Sequence, residues 1–296
     1  MKRILFTFIL FLITLSGCSA KSEPARIAAT TLPVYEFTQR LCDGTDITVT
    51  RLVTEEVSCL HDYSLNVRQV KAAESAEVVV ISGGGLEDFM ADILRDANVI
   101  DASGLRIGFH DMAAAHSHEE EHHDGNDGHH HETDPHVWLS PENALIMAEN
   151  ISGALSIQYP EYAETIAENA SALFDELKAL KHYGEETLAS LSCRELITFH
   201  DGFAYFAGAF DLEILEAVEE ESGSEASAKE LIHLIEEVEH HALPAIFTEK
   251  SGSVSAADVI SRETGCRSYT LDMAMAGDSY FESMYHNIDT IKEALG

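Results

Sequence analysis

The sequence predicts an α/β protein of two doubly wound lobes joined by a long helix. Three observations lead there. Short apolar or β-branched runs alternate with helix-period stretches over residues 26–102 and again over 195–295, a pattern that builds parallel sheets covered by helices. The run EVVVIS at residues 77–82 is apolar almost throughout, as a strand buried on both faces requires. Between the two blocks, Tyr162, Ile166, Ala170, Leu173, Leu177 and Leu180 fall near helical spacing.

Each element has its own signal. Residues 26–31 form a short strand candidate, and Pro33 suits the first turn of the helix after it. Residues 46–53 are rich in β-branched side chains and read as a strand. Residues 65–76 read as a helix and 77–82 as a buried strand. Gly83, Gly84 and Gly85 then turn the chain into a helix expected over 86–96, and 98–102 is another short strand. Residues 113–135 are a low-complexity loop. A helix covers 141–157, and a second starts at Pro160 and reaches about residue 191. At 1.5 Å per residue the latter would be roughly 45 Å long. The second block gives a strand at 195–199, a helix around 203–210 and a strand at 212–218. Ser227 and Glu230 then form a capping-box pattern opening a helix to about residue 241. A strand at 245–248, a helix at 253–264, a strand at 267–271 and a closing helix at 280–295 complete the chain.

The ends and the composition bound the setting. Lys2 and Arg3 precede an apolar run over 4–15, too short to favour a spanning helix and suited to a signal peptide. The run ends in Leu15, Ser16, Gly17 and Cys18, which resembles a bacterial lipobox with Cys18 as the lipidated residue. The mature protein is therefore expected outside the cytoplasm, on the bacterial cell surface or periplasmic face, with its lipid as the only membrane contact. A net charge of −34 excludes nucleic acid as a partner and raises the local concentration of cations. Cys42, Cys59, Cys193 and Cys266 remain. Export permits disulfides, and the sequence does not select among the three pairings.

The chemistry rests on histidine. His61 in CLHDY, His136 in DPHVWLSP and His200 in ITFHDGF lie far apart in sequence but at the ends of expected elements. In doubly wound sheets, ligands sit beyond the carboxyl ends of the strands, and His61, His200 and Asp272 follow expected strands. Neutral imidazole is the commonest protein ligand for zinc, and three imidazoles with one carboxylate fill a tetrahedral site. Asp134 or Asp201 could orient an imidazole. The loop carries His116, His118, His122, His123, His129, His130 and His131 among acidic residues. It has no apolar stretch on which to fold, and such tracts bind metal loosely. Within it, HEEEH at residues 118–122 matches the pattern of a zinc protease, which needs a helix anchored in a core that these charged neighbours do not provide. The glycine turn at 83–85 lacks the spacing of a phosphate cradle.

The motifs CLHDYSLNVRQV, ISGGGLEDF, DPHVWLSPENA, ITFHDGFAYFAGAF, AIFTEKSGS and YTLDMAMAGDSYFESMYHN together resemble one family across the mature chain. It is the ZnuA/TroA-like group, the solute-binding lipoproteins of zinc and manganese ABC importers. The resemblance implies metal held in a cleft between the lobes. It divides the chain into a signal peptide (1–18), an N-terminal lobe (26–158, with the loop 113–135), a linking helix (159–191) and a C-terminal lobe (192–296). The implied ligands are His61 and His136 from the first lobe and His200 and Asp272 from the second. Manganese relatives carry Glu where this chain has His200, so the resemblance implies Zn2+. The family's last ligand often sits in LDP, whereas this chain has Leu271, Asp272 and Met273, which leaves Glu249 or water as alternatives to Asp272. The expected function is zinc delivery by a monomer to an ABC transporter permease, without catalysis. A zinc-buffering surface protein or adhesin with the same site is the alternative. A zinc hydrolase is a further one, which would need an open coordination position and a general base.

Overall fold

The computed structural model describes residues 27–57, 60, 63–104, 134–218 and 227–296. Cys18, Cys59, His61 and the histidine tract from His116 to His131 lie outside these residues.

Two four-stranded sheets form, both wholly parallel. The first contains β1 (Ile27–Ala29), β2 (Val49–Arg51), β3 (Val78–Ile81) and β4 (Val99–Asp101) in the order β2-β1-β3-β4. The second contains β5 (Glu195–Thr198), β6 (Glu213–Ala217), β7 (Ala245–Glu249) and β8 (Arg267–Leu271) in the order β6-β5-β7-β8. The helices in chain order are α1 (Leu32–Leu41), α2 (Val67–Ser75), α3 (Ala91–Leu94), α4 (Pro141–Gln158), α5 (Ala163–Leu188), α6 (Ala204–Ala209), α7 (Ala228–His241), α8 (Ser255–Thr264) and α9 (Tyr280–Leu295).

Strand side chains alternate between faces, and here both faces are apolar. Ile27, Ala29, Val78 and Val80 join a core that continues through Leu196, Ala245, Phe247 and Leu271 of the second sheet. Ala28 and Val79 point the other way, into a cluster with Leu52, Ala73 and Met90. Ile197 and Ile246 face a third cluster with Leu234, Val238 and Ile260 of α7 and α8. The shared core is carried by α1, α4, α5 and α9. The 26-residue α5 packs on the other three and spans about 39 Å. Its carboxyl end is closed by Arg194, whose guanidinium donates to the carbonyls of Leu188 (2.9 Å) and Phe210 (3.1 Å). No helix among the described residues is long and apolar enough to cross a membrane.

In both sheets the strand order reverses at the middle pair, β1/β3 and β5/β7. These are the topological switch points at which crevices open. At the first, the buried Glu87 carboxylate accepts from Thr30 Oγ1 (2.7 Å), Ser82 N (2.8 Å) and Gly83 N (3.0 Å). Burial pushes this carboxyl up to about 7, against the pull of those hydrogen bonds. The two halves are joined at the same level. Leu32 N donates to Met275 O (3.0 Å), and the Glu36 carboxylate accepts from Tyr280 N (2.6 Å) at the start of α9.

One expected element differs. The helix read over 86–96 is a 3-10 turn at Asp88–Met90 followed by the single turn of α3. Gly83, Gly84 and Gly85 all have positive φ, and Glu87 is tethered into the crevice, so the first turn cannot wind as an α-helix. Cys42, Cys193 and Cys266 form no disulfide with one another.

Candidate metal centre

The DPH segment arrives at the crevice in a fixed shape. Asp134 Oδ1 accepts from His136 N (2.9 Å) and lies 2.7 Å from His136 Nδ1. A carboxylate on Nδ1 holds the proton there and leaves the Nε2 lone pair for a cation. The imidazole is only 2% exposed. Trp138 packs edge-on against it at 5.4 Å, and the Trp138 indole donates to Met273 O at 2.8 Å. His136 is thus locked on one side to its own loop and on the other to the segment after β8.

His200 lies two residues past the end of β5, in the turn before α6. Its ring stands 5.2 Å from that of His136 at an interplanar angle of 80°. Its Nδ1 is 3.9 Å from Oε2 of Glu249, the buried last residue of β7. Each of these histidines therefore has a buried or half-buried carboxylate on its Nδ1 side. Asp272 follows β8 directly. Asn287 brackets its backbone with two hydrogen bonds of 2.7 Å. Its Oδ1 accepts from Ala274 N (2.8 Å), and its Oδ2 lies 3.6 Å from Lys250 Nζ. Asp272 and Glu249 line one small cavity together with Lys250 and Met273. Glu56, 3.0 Å from Lys250 Nζ, raises the pKa of that ammonium above the ordinary lysine range, with Asp272 adding to the effect.

The structure thus brings His136 and His200 together, with Glu249 beside His200. Asp272 sits at the same crevice, engaged with Ala274 and Lys250. Among the described residues no third ligand atom completes a cluster at this point. His61 and the tract lie outside the described residues, although Leu60, next to His61, is buried in the shared core.

Gly202 escapes sequence reasoning. A Cβ there would stand 2.6 Å from Met273 Cε, 2.8 Å from His200 Cδ2 and 3.0 Å from His136 Nδ1. Only hydrogen fits between the two imidazoles and Met273. A glycine two residues after His200 does not announce in the sequence which side chains will close around it. Chemically, the centre offers imidazole nitrogen and carboxylate oxygen, the ligand types that suit zinc.

A family model described as zinc-uptake complex component A, periplasmic, ZnuA, matches residues 27–294. The zinc-binding lipoprotein AdcA of Streptococcus pneumoniae serotype 4 is 30% identical over 300 residues, which cover 96% of this chain and 58% of that protein. The chain spans little more than half the length of the curated AdcA relatives it matches. A crystal structure of ZnuA superposes with a TM-score of 0.74 at 26% identity, covering 92% of this chain and all of that one. The Zn(II)-bound ZnuA-like domain of S. pneumoniae AdcA gives 0.72 at 26% identity, covering 91% and 98%.

Proposed function

Since the chain belongs to the ZnuA family of periplasmic zinc-uptake components, we propose that it captures Zn2+ outside the cytoplasm and hands it to the permease of an ABC importer. One observation supports this reading above the others. Two imidazoles from different halves of the chain meet at 5.2 Å, each with a carboxylate on its Nδ1 side. In this reading Nε2 of each ring, opposite the carboxylate, faces a single cation.

His61, His136 and His200 supply three nitrogens in this reading and Asp272 the fourth ligand, with Asp134 and Glu249 orienting the rings. To bind zinc, the Asp272 carboxylate exchanges its contact with Lys250 for the ion. Four protein ligands close a tetrahedron and leave no position for a reactive water, so the protein carries zinc without catalysing a reaction. The two lobes, 26–158 and 192–296, are joined by the linking segment 159–191. The chain works as a monomer, cleaved from its signal peptide just before Cys18 and tethered by lipid on that residue.

Competition titration against a chelator tests the site. His136→Ala and His200→Ala should each weaken zinc at least tenfold, about 1.4 kcal/mol. Unchanged affinity in both variants would overturn the reading. Asp272→Asn should weaken zinc by more than Glu249→Gln does, and the reverse order would make Glu249 the ligand.

A further inference from the structure

A second group of metal-ligating side chains lies away from the cleft. Glu237, His240 and His241 occupy the last turn of α7, and one ligand atom from each falls within 4.8 Å of the others. Nδ1 of His241 lies 3.0 Å from Oε2 of Glu195, the first residue of β5. The carboxylate holds the proton on that nitrogen and turns the Nε2 lone pair the opposite way. On that side stands Glu237 Oε2, 3.6 Å from His241 Nε2. That separation is too long for a hydrogen bond. It is close to the roughly 3.3 Å between two ligand atoms bound tetrahedrally to zinc at about 2.0–2.1 Å. The His240 ring packs edge-on against His241 at 4.8 Å and brings a second imidazole to the same edge.

The surroundings favour a cation. The group lies at a helix carboxyl end, where the backbone dipole is negative, and Ala242 ends the helix in a left-handed turn with φ of 53°. Glu195 and His200 lie at opposite ends of β5 and its turn. At about 3.3 Å per residue, five residues separate them by roughly 16 Å, so the group cannot share the cleft's ion. Its side chains are partly exposed, which leaves a coordination position for water.

We propose that Glu237, His240 and His241 form a second zinc site on the outer surface of the C-terminal half, with Glu195 as the positioning residue for His241. It is independent of the cleft. It holds zinc more loosely than the cleft does, because it offers three protein ligands and solvent access.

Equilibrium dialysis of the full chain against buffered zinc tests this. The parent protein and His240→Ala/His241→Ala should differ by one zinc per chain at saturation, and an equal count would overturn the proposal. Glu237→Gln, which keeps both imidazoles, should weaken the same ion at least tenfold, and unchanged binding would remove Glu237 from the site. Glu195→Gln should keep the count but weaken this ion by about 10–100-fold, as loss of an orienting carboxylate does. Undiminished affinity in Glu195→Gln would overturn its positioning role.

Discussion

At the scale of single residues, what decides the centre is how little room its histidines have. Gly202 packs against both rings and Met273, so Gly202→Ala must push at least one imidazole aside. Overpacking of this kind costs about 1–3 kcal/mol. The expected outcome is a loss of zinc affinity of about tenfold or more in chelator competition, although no ligand atom has been removed. A variant that binds as tightly as the parent would show that the rings do not need their observed positions. Asp134→Ala should lower affinity by about 10–100-fold through loss of the Nδ1 hydrogen bond to His136. His136 and His200 were legible in the sequence because each stood at the edge of an apolar element. Asp134 was legible from its place two residues before His136. Glu249 was legible only as a substitute ligand, since its approach to His200 depends on β5 and β7 lying side by side. The contact between Lys250 and Asp272 joins the ends of β7 and β8, and no local pattern carries it.

At the scale of elements, parallel strands were readable because burial on both faces leaves a continuous apolar run, as in VVVI of β3. The start of α7 was readable because Ser227 and Glu230 satisfy each other's backbone partners, and the capping box is present. The structure departs from the helix expected after the glycine turn, because Glu87 is held by Thr30 and Ser82, just past the ends of β1 and β3, rather than by its own turn. That tether gives a pH prediction. The folded-state carboxyl lies at about 7, above its ordinary value of 4.5. A raised carboxyl contributes stability that is fully present below pH 4.5 and is lost as the pH rises through about 7. Between pH 4.5 and 8, the unfolding free energy of the zinc-free parent should fall by about 3 kcal/mol relative to Glu87→Gln. Urea denaturation of both proteins across this range checks it. A difference that does not change with pH would show that the carboxyl titrates normally.

At the scale of the whole molecule, one apolar core runs from the first sheet through α1, α4, α5 and α9 into the second. The segments that carry His136 and Asp272 are bridged by hydrogen bonds from Trp138 to Met273 and from Tyr280 to Trp138. The place where His136 and His200 meet is therefore built by the packing of the two halves. Deleting residues 116–131 should leave tight zinc binding unchanged and remove only weaker ions, as read by dialysis; loss of the tight ion would make the tract a supplier of ligands. The long helix was legible from its periodicity and both sheets from their apolar and β-branched runs, whereas the way the halves meet depends on single contacts such as Glu36 with the start of α9. The central claim is that one zinc ion is held where His136 and His200 converge. Anomalous diffraction at the zinc edge from crystals of the zinc-loaded chain tests it most directly. The account predicts a peak about 2.0–2.2 Å from Nε2 of both histidines and from an oxygen of Asp272; a tightly bound zinc lying elsewhere, with neither imidazole in its coordination shell, would contradict it.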